Sequence, residues 1–126
     1  MSNKIPSPNT KTYDLIERTA RFGENVITFV QGLERNALNS PLISQLIRAA
    51  TSIGANYMEA DAAESKKDFE HKIGIARKEA KESMHWFRMV AKANPVTQPQ
   101  CRVLWKEAQE FVFIFSSILS GSRSKS

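Results

Sequence analysis

The chain has 126 residues, a length that suits one domain able to bury about two-thirds of the surface that its unfolded form exposes. Its single cysteine, Cys101, excludes an internal disulfide and a cysteine-based metal framework, and it fits a reducing cytoplasm. The net charge of +5 is compatible with a polyanionic partner and also with an ordinary soluble protein. The longest apolar run is far shorter than the roughly 20 residues of a membrane span. We therefore expect a cytoplasmic protein without a membrane partner.

Residues 1–12 contain two prolines and no hydrophobic periodicity, which predicts a flexible N-terminal arm. The first helix is predicted from residue 13 to residue 33, because apolar residues recur there at spacings of seven, four, three and four. These residues are Leu15, Phe22, Val26, Phe29 and Leu33. A second helix is predicted to begin at Pro41, with Ser40 as its N-cap.

The segment from residue 41 to residue 92 is predicted to form two helices rather than one. Its first core stripe is Ile43, Leu46, Ala50, Ile53 and Tyr57, and its second is Phe69, Ile73, Ala76, Ala80, Ser83, Phe87 and Val90. The two stripes are out of phase, so the chain has to turn between them. Ser65 and Asp68 fit a capping box at the restart. An uninterrupted helix is the alternative, because no glycine or proline enforces the break.

A fourth helix is predicted after the prolines at positions 95 and 99, which end the third. Its core stripe is Leu104, Ala108, Phe111, Phe115 and Ile118. Residues 120–126 are predicted to form a disordered basic tail. The fold class is therefore all-α. Four amphipathic helices with short connections predict an antiparallel up-down-up-down four-helix bundle over residues 13–119.

The fourth helix carries more apolar residues than one core stripe requires. Trp105, Val112 and Leu119 form an adjoining stripe with a spacing of seven, and Phe113 points away from the main stripe. An apolar surplus of this size is typical of a protein interface, so we expect these four residues to contribute to a homo-oligomer. The alternative is that they widen the core of the monomer.

A polar line follows the edge of the core stripe on the second helix. Its members are Gln45, Arg48, Ser52, Asn56 and Glu59. Antiparallel packing against the third helix would place Arg48 near Glu79 or Glu82, and Glu59 near Lys66 or Lys67. The line is either a polar site or a network that fixes the register of the two helices, and we favour the network.

A basic ridge is predicted on the outer face of the third helix. It comprises Lys67, His71, Gly74, Lys78, Lys81, His85, Arg88 and Lys92, at helical spacing and without an acidic residue. The candidate nucleic-acid-binding residues are Lys67, Lys78, Lys81, Arg88 and Lys92. These cations could hold the phosphates of RNA or DNA, whereas the absence of interleaved aromatic residues argues against base stacking. The alternative is an ordinary solvated face.

Neither a metal site nor a catalytic site is indicated. Asp68 and His71, like Glu82 and His85, resemble the carboxylate-x-x-His unit of di-iron bundles, but both pairs lie on the third helix about 21 Å apart. No further histidine completes a site. Cys101 lies near the start of the fourth helix, where a helix dipole can acidify a thiol, but one thiol is weak evidence. We expect no metal, no cofactor, no small-molecule substrate and no enzymatic activity.

Several separated blocks of the sequence resemble one bacterial family. They are residues 45–59, Ser65-Lys-Lys-Asp-Phe69, Ile75-Ala76 and Glu82. The family is that of four-helix-bundle proteins whose founding members are encoded in intervening sequences of large-subunit ribosomal RNA genes. The resemblance implies a left-handed bundle that assembles as a homopentamer. It also implies a relation to the accessory protein of diversity-generating retroelements, a basic pentamer that binds nucleic acid.

The chain departs from the family pattern at three places. Gly54 replaces a common proline, Ala60 replaces the glycine that closes the second helix, and Lys78-Glu79 replace a small Gly-Ser pair. The leading hypothesis is a non-enzymatic oligomer in which the basic ridge binds the backbone of structured RNA or DNA. The alternative is a protein-interaction scaffold that does not bind nucleic acid.

Overall fold

The computed structural model describes the backbone of residues 10–124 and the side chains of residues 15–124. Its helices are α1 (Thr10–Gln31), α2 (Asn39–Asp61), α3 (Lys66–Ala93) and α4 (Gln98–Arg123), with one 3₁₀ turn at Pro95–Thr97. The described part of the chain contains no strand, and none of its helices is long and apolar enough to cross a membrane. The predicted all-α four-helix fold is confirmed.

Consecutive helices are antiparallel neighbours. Contacts between α2 and α3 join Arg48 to Glu82 and Glu59 to Lys72, and contacts between α3 and α4 join Glu70 to Ser122 and Arg77 to Ser116. In each pair of contacts, the residue number rises along one helix and falls along the next. Thr19 of α1 likewise lies against Gly54, and Gly23 against Thr51 of α2. The chain therefore runs up, down, up and down.

The core occupies the centre of the four helices. The buried members of the predicted stripes are Leu15, Phe22, Val26, Leu33, Ile43, Leu46, Ala50, Ile53, Tyr57, Ile73, Ala76, Ala80, Ser83, Phe87, Val90, Ala108, Phe111 and Phe115. The remaining members, Phe29, Phe69, Leu104 and Ile118, are partly buried around them. The ring of Phe22 packs edge-on against both Phe87 and Phe111, at centroid distances of 6.2 and 5.4 Å. Burial of one such ring contributes about 1.5–3 kcal/mol.

The break between α2 and α3 is confirmed. Helix α2 ends at Asp61, and the hydroxyl of Ser65 accepts a hydrogen bond from the backbone N–H of Asp68 at 3.0 Å. The predicted N-cap of α2 is wrong, because the helix begins at Asn39. The side-chain oxygen of Asn36 accepts the N–H of Asn39 at 2.8 Å, while Ser40 donates its hydroxyl to the carbonyl of Asn36. Asn36 supplies the acceptor that the first turn needs.

The helical region is longer at both ends than predicted. Residues 10–12 belong to α1, and residues 120–123 belong to α4, although the sequence assigned them to the arm and to the tail. The hydroxyl of Ser122 donates a hydrogen bond to Glu70 at 2.6 Å, which ties the last turns of α4 to α3. Ser124 forms a turn after α4, and the rest of the predicted arm and tail, residues 1–9 and 125–126, lies outside the described residues.

A pair of hydrogen-bonded amides joins the start of α2 to the end of α3. Asn39, only 2% exposed, donates to the side-chain oxygen of Asn94 at 3.0 Å, and Asn94 donates back at 2.9 Å. The second N–H groups reach the backbone carbonyls of Glu34 and Val90. Because both amides are hydrogen-bonded, their burial costs little, and the pair fixes how these segments meet.

Candidate nucleic-acid interface

The basic ridge lies on the side of α3 that faces away from the core. Helix α3 has 28 residues and is therefore about 42 Å long. Lys67, Lys78, Lys81, Arg88 and Lys92 are all exposed, whereas Ile73, Ala76, Ala80 and Phe87 of the same helix are buried. Hydrophobic burial on one face thus places the cations in a single row on the other. His71 and His85 are exposed in the same row.

Among the side chains of residues 15–124, the charges of the basic ridge are not neutralised. Among the side chains of residues 15–124, none of the five ridge cations forms an ion pair with a carboxylate. An exposed ammonium or guanidinium without a local counter-charge retains its attraction for an incoming anion. The ridge is therefore a linear, positively charged surface that suits a chain of phosphates.

The seam between α2 and α3 has the opposite character, because its charges are paired. Arg48 Nη2 donates to Glu82 Oε1 at 2.6 Å, and Arg48 Nη1 lies 3.2 Å from Glu79 Oε1. The Glu79 side chain is only 10% exposed, whereas that of Arg48 is 47% exposed. The hydrogen bond to Glu82, with the charge of Glu79, raises the pKa of Arg48. The structure thus brings Arg48 to both of its predicted partners.

The other members of the polar line make contacts that the sequence did not predict. Ser52 donates its hydroxyl to the Arg48 carbonyl at 2.6 Å, and the Asn56 amide donates to the Ser52 carbonyl at 2.9 Å. These two side chains therefore bond to their own helix. Glu59 forms an ion pair with Lys72 at 2.6 Å, further along α3 than the predicted partners. A lysine on α3 points back toward the helix N-terminus, which brings Lys72 to the end of α2.

The predicted interface residues of α4 divide into three environments. Phe113 is 59% exposed, and Trp105 and Val112 are partly buried against the core. Leu119 is only 1% exposed, so its assignment to an oligomer interface is wrong. The seven-residue spacing drifts around a helix of 3.6 residues per turn and carries Leu119 into the core of the monomer. Val103, which the sequence analysis did not select, is 68% exposed on the same helix.

Cys101 is a packed thiol at the start of α4. It is 3% exposed, and burial raises its pKa despite a contact with the Thr97 hydroxyl at 3.7 Å. Desolvation therefore outweighs the effect of the Thr97 hydroxyl, and the thiol is protonated at neutral pH. Within the described residues, no group of three or more histidine, cysteine, aspartate or glutamate side chains could hold a metal ion.

Similarity to known proteins covers most of the bundle. Residues 11–117 match the model of a family described as 23S rRNA-intervening sequence protein. A crystal structure from Bacteroides thetaiotaomicron VPI-5482, described as a protein with unknown function from the S23 ribosomal protein family, is similar with a TM-score of 0.77. It is 26% identical in sequence, and the match covers 87% of this chain and 98% of that chain. No curated protein sequence matches the chain.

Proposed function

Because the chain belongs to the family of 23S rRNA-intervening sequence proteins, we propose that it is a non-enzymatic bundle that binds structured RNA or DNA through phosphate contacts from the basic ridge. The observation that carries the proposal is the row of five exposed cations on α3 without a carboxylate partner among residues 15–124. The row from Lys67 to Lys92 extends over about 38 Å, a length comparable to one turn of a nucleic-acid duplex.

Contacts of this kind bind the phosphate backbone and do not read base sequence. Lysine and arginine side chains release condensed counterions when they approach phosphates, so the affinity falls steeply with salt. If all five ridge cations reach phosphates of a duplex, the logarithm of the binding constant falls by about 4.5 per decade of salt. This dependence is the signature of the proposed mode of binding.

We also propose that the protein acts as a left-handed homopentameric bundle in the cytoplasm. Phe113 and Val103 of α4 are 59% and 68% exposed, and exposed apolar side chains of this size suit a contact with another copy of the chain. Assembly would present several basic ridges to one nucleic acid, and linked sites bind more tightly than single ones. A mass measurement by light scattering tests this part, and a monomer at micromolar concentration would contradict it.

The experiment for nucleic-acid binding compares labelled duplex RNA and duplex DNA at low and at physiological salt. We expect both to bind at low salt, with a large loss of affinity at the higher concentration. No binding at low salt would exclude the proposal. In that case an oligomer that persists would favour the second candidate, a protein-interaction scaffold that uses the exposed apolar residues of α4.

A further inference from the structure

A pocket of about 670 Å³ opens between α3 and α4, at the end of the bundle where the 3₁₀ turn connects them. Phe87 and Cys101, both buried, form its floor. Arg88 and Lys92 of α3 and Arg102 of α4 line its sides, together with Trp105. Its volume is within the range of about 300–1,000 Å³ that is typical of small-molecule sites. Two residues of the basic ridge thus also line a cavity.

The lining of this pocket is positively charged. Arg88, Lys92 and Arg102 are exposed, and none of the described residues that line the pocket is acidic. Among the side chains of residues 15–124, none of the three cations forms an ion pair. The carboxylates of Glu79 and Glu82 are held on the other side of α3, where both contact Arg48. An anionic group in the pocket would therefore meet attraction without a competing carboxylate.

The same pocket offers an aromatic surface. Trp105 is partly buried against the core and contributes to the wall of the cavity. An indole ring beside cations is the combination that recognises an unpaired nucleotide, because the base stacks on the ring while the cations hold the phosphates. The sequence analysis found no aromatic residue within the basic ridge. Trp105 belongs to α4, whereas the ridge belongs to α3. Only the packing of the two helices places Trp105 in the same pocket as Arg88.

We propose that the α3–α4 pocket binds one unpaired nucleotide of the nucleic acid that lies along the basic ridge. The base stacks on Trp105, and the flanking phosphates contact Arg88, Lys92 and Arg102. This inference rests on the proposed function, because the ridge delivers the nucleic acid to the pocket. It adds a preference for strands with a single-stranded end, loop or bulge, since a base inside a fully paired duplex is not free to enter.

A second pocket in the molecule has a different lining. It has a volume of about 870 Å³ at the opposite end of the bundle and is lined by Asp61 and Glu64 in addition to Arg18 and Lys66. Arg18 already forms a bidentate ion pair with Glu107, with both N···O distances at 2.8 Å. The negative charges of Asp61 and Glu64 would repel a phosphate there. The larger cavity is therefore not the candidate for a nucleotide.

The test compares a labelled blunt duplex with the same duplex that carries a single-stranded overhang, in an RNA version and in a DNA version. The wild type is expected to bind the overhang form about tenfold more tightly than the blunt form. Trp105→Leu should remove this preference and retain the affinity for the blunt duplex. Arg102→Ala, a change outside the ridge, should weaken only the overhang form. The RNA and DNA versions show which sugar the pocket accepts.

Trp86→Phe is the matched control, because Trp86 is the other tryptophan of the chain. This variant should keep the preference for the overhang, and it leaves Trp105 as the only indole. Its fluorescence should then be quenched by the overhang duplex and not by the blunt one. This readout does not depend on the folding of a Trp105 variant, so it tests the pocket even if Trp105→Leu lowers the melting temperature.

The outcomes distinguish failure of the nucleotide pocket from failure of the proposed function. Equal affinity for the blunt and overhang forms, or an unchanged Trp105 fluorescence, would overturn the nucleotide pocket while ridge binding stands. No binding of either duplex at low salt would exclude the proposed function and the pocket together. A Trp105→Leu variant that changes the mass of the assembly would place Trp105 in the oligomer interface, and this result would also overturn the pocket.

Discussion

The α2–α3 seam and the α3–α4 seam differ in whether their charged side chains are paired. On the α2 side, Arg48 bonds to Glu79 and Glu82, and Glu59 bonds to Lys72. On the α4 side, the cations at positions 88, 92 and 102 have no ion-pair partner among the described side chains. Helix α3 therefore lies between a seam with paired charges and a seam that carries unpaired cations at its end near the 3₁₀ turn.

This difference separates charges that serve the fold from charges that remain for a partner. A paired charge at a half-buried seam contributes to stability and to helix register, because breaking the pair leaves a desolvated group unsatisfied. An unpaired exposed cation contributes little to stability and retains its attraction for a polyanion. Changes on the α2 side should therefore alter stability, and changes on the α4 side should alter binding.

The largest expected effect is on binding. The double variant Lys81→Glu/Arg88→Glu should bind duplex RNA or DNA at least about a hundredfold more weakly at low salt, because two attractive contacts become repulsive. Its control is Arg21→Glu/Arg35→Glu, which changes the net charge equally at exposed positions outside the ridge. Fluorescence anisotropy measures both. Equal losses would show that net charge, and not the ridge, governs binding.

The next effect is on stability. Arg48→Met should lower the free energy of unfolding by about 1–2 kcal/mol, because it leaves the mostly buried carboxylate of Glu79 without its cation. Arg21→Met breaks the exposed pair with Glu17 and should cost less than about 0.5 kcal/mol. Urea unfolding gives both values. An Arg48 variant as stable as the wild type would contradict a structural role for the α2–α3 seam.

A smaller effect on stability is expected when either of two glycines is replaced by alanine. A Cβ atom at Gly74, on the basic ridge, would have no neighbour within 4 Å, so Gly74→Ala should stabilise the helix by about 0.5–1 kcal/mol. A Cβ atom at Gly54 would lie 3.2 Å from the hydroxyl of Thr19, so the packing of α1 should offset the gain there. Thermal unfolding of the two variants tests this difference. Equal stabilisation would show that α1 shifts without cost to accommodate a methyl group at position 54.

The smallest effect concerns pH. Burial raises the pKa of Cys101, so in alkaline solution the unfolded chain loses the thiol proton before the folded chain does. Ionisation then favours the unfolded state, and stability declines as the pH rises through the ordinary range of a thiol. The decline should be smaller in Cys101→Ala. Parallel pH profiles for the two proteins would show that the thiol ionises equally in both states.

The helices and their inward faces were predictable from the sequence because hydrophobic spacing alone specifies them. The break between α2 and α3 was predictable from the phase change and from Ser65. The hydrogen bond from Asn39 to Asn36 and the amide pair of Asn39 with Asn94 were not, because the first depends on local backbone geometry and the second joins residues 55 positions apart. The burial of Leu119 agrees with the alternative of a wider monomer core and not with the favoured interface, because a spacing of seven does not hold its phase along a straight helix.

The candidate site was only partly predictable. The basic ridge follows from helical spacing within one element, and its exposure follows from the core stripe opposite to it. The α3–α4 pocket combines Arg88 of α3 with Trp105 and Arg102 of α4. The position of one helix along the axis of the other depends on the connection at Pro95–Thr97. Hydrophobic periodicity describes each helix on its own, so it does not reveal which residues of two helices meet.

Lysine acetylation followed by mass spectrometry, with and without a bound duplex, tests the central claim most directly. Lys72, which pairs with Glu59 on the α2 side, is the internal control. We expect protection of Lys78, Lys81 and Lys92 by the nucleic acid, with no change at Lys72. Protection at Lys72 without protection along the basic ridge, or equal protection of all four lysines, would contradict the assignment of binding to the outer face of α3.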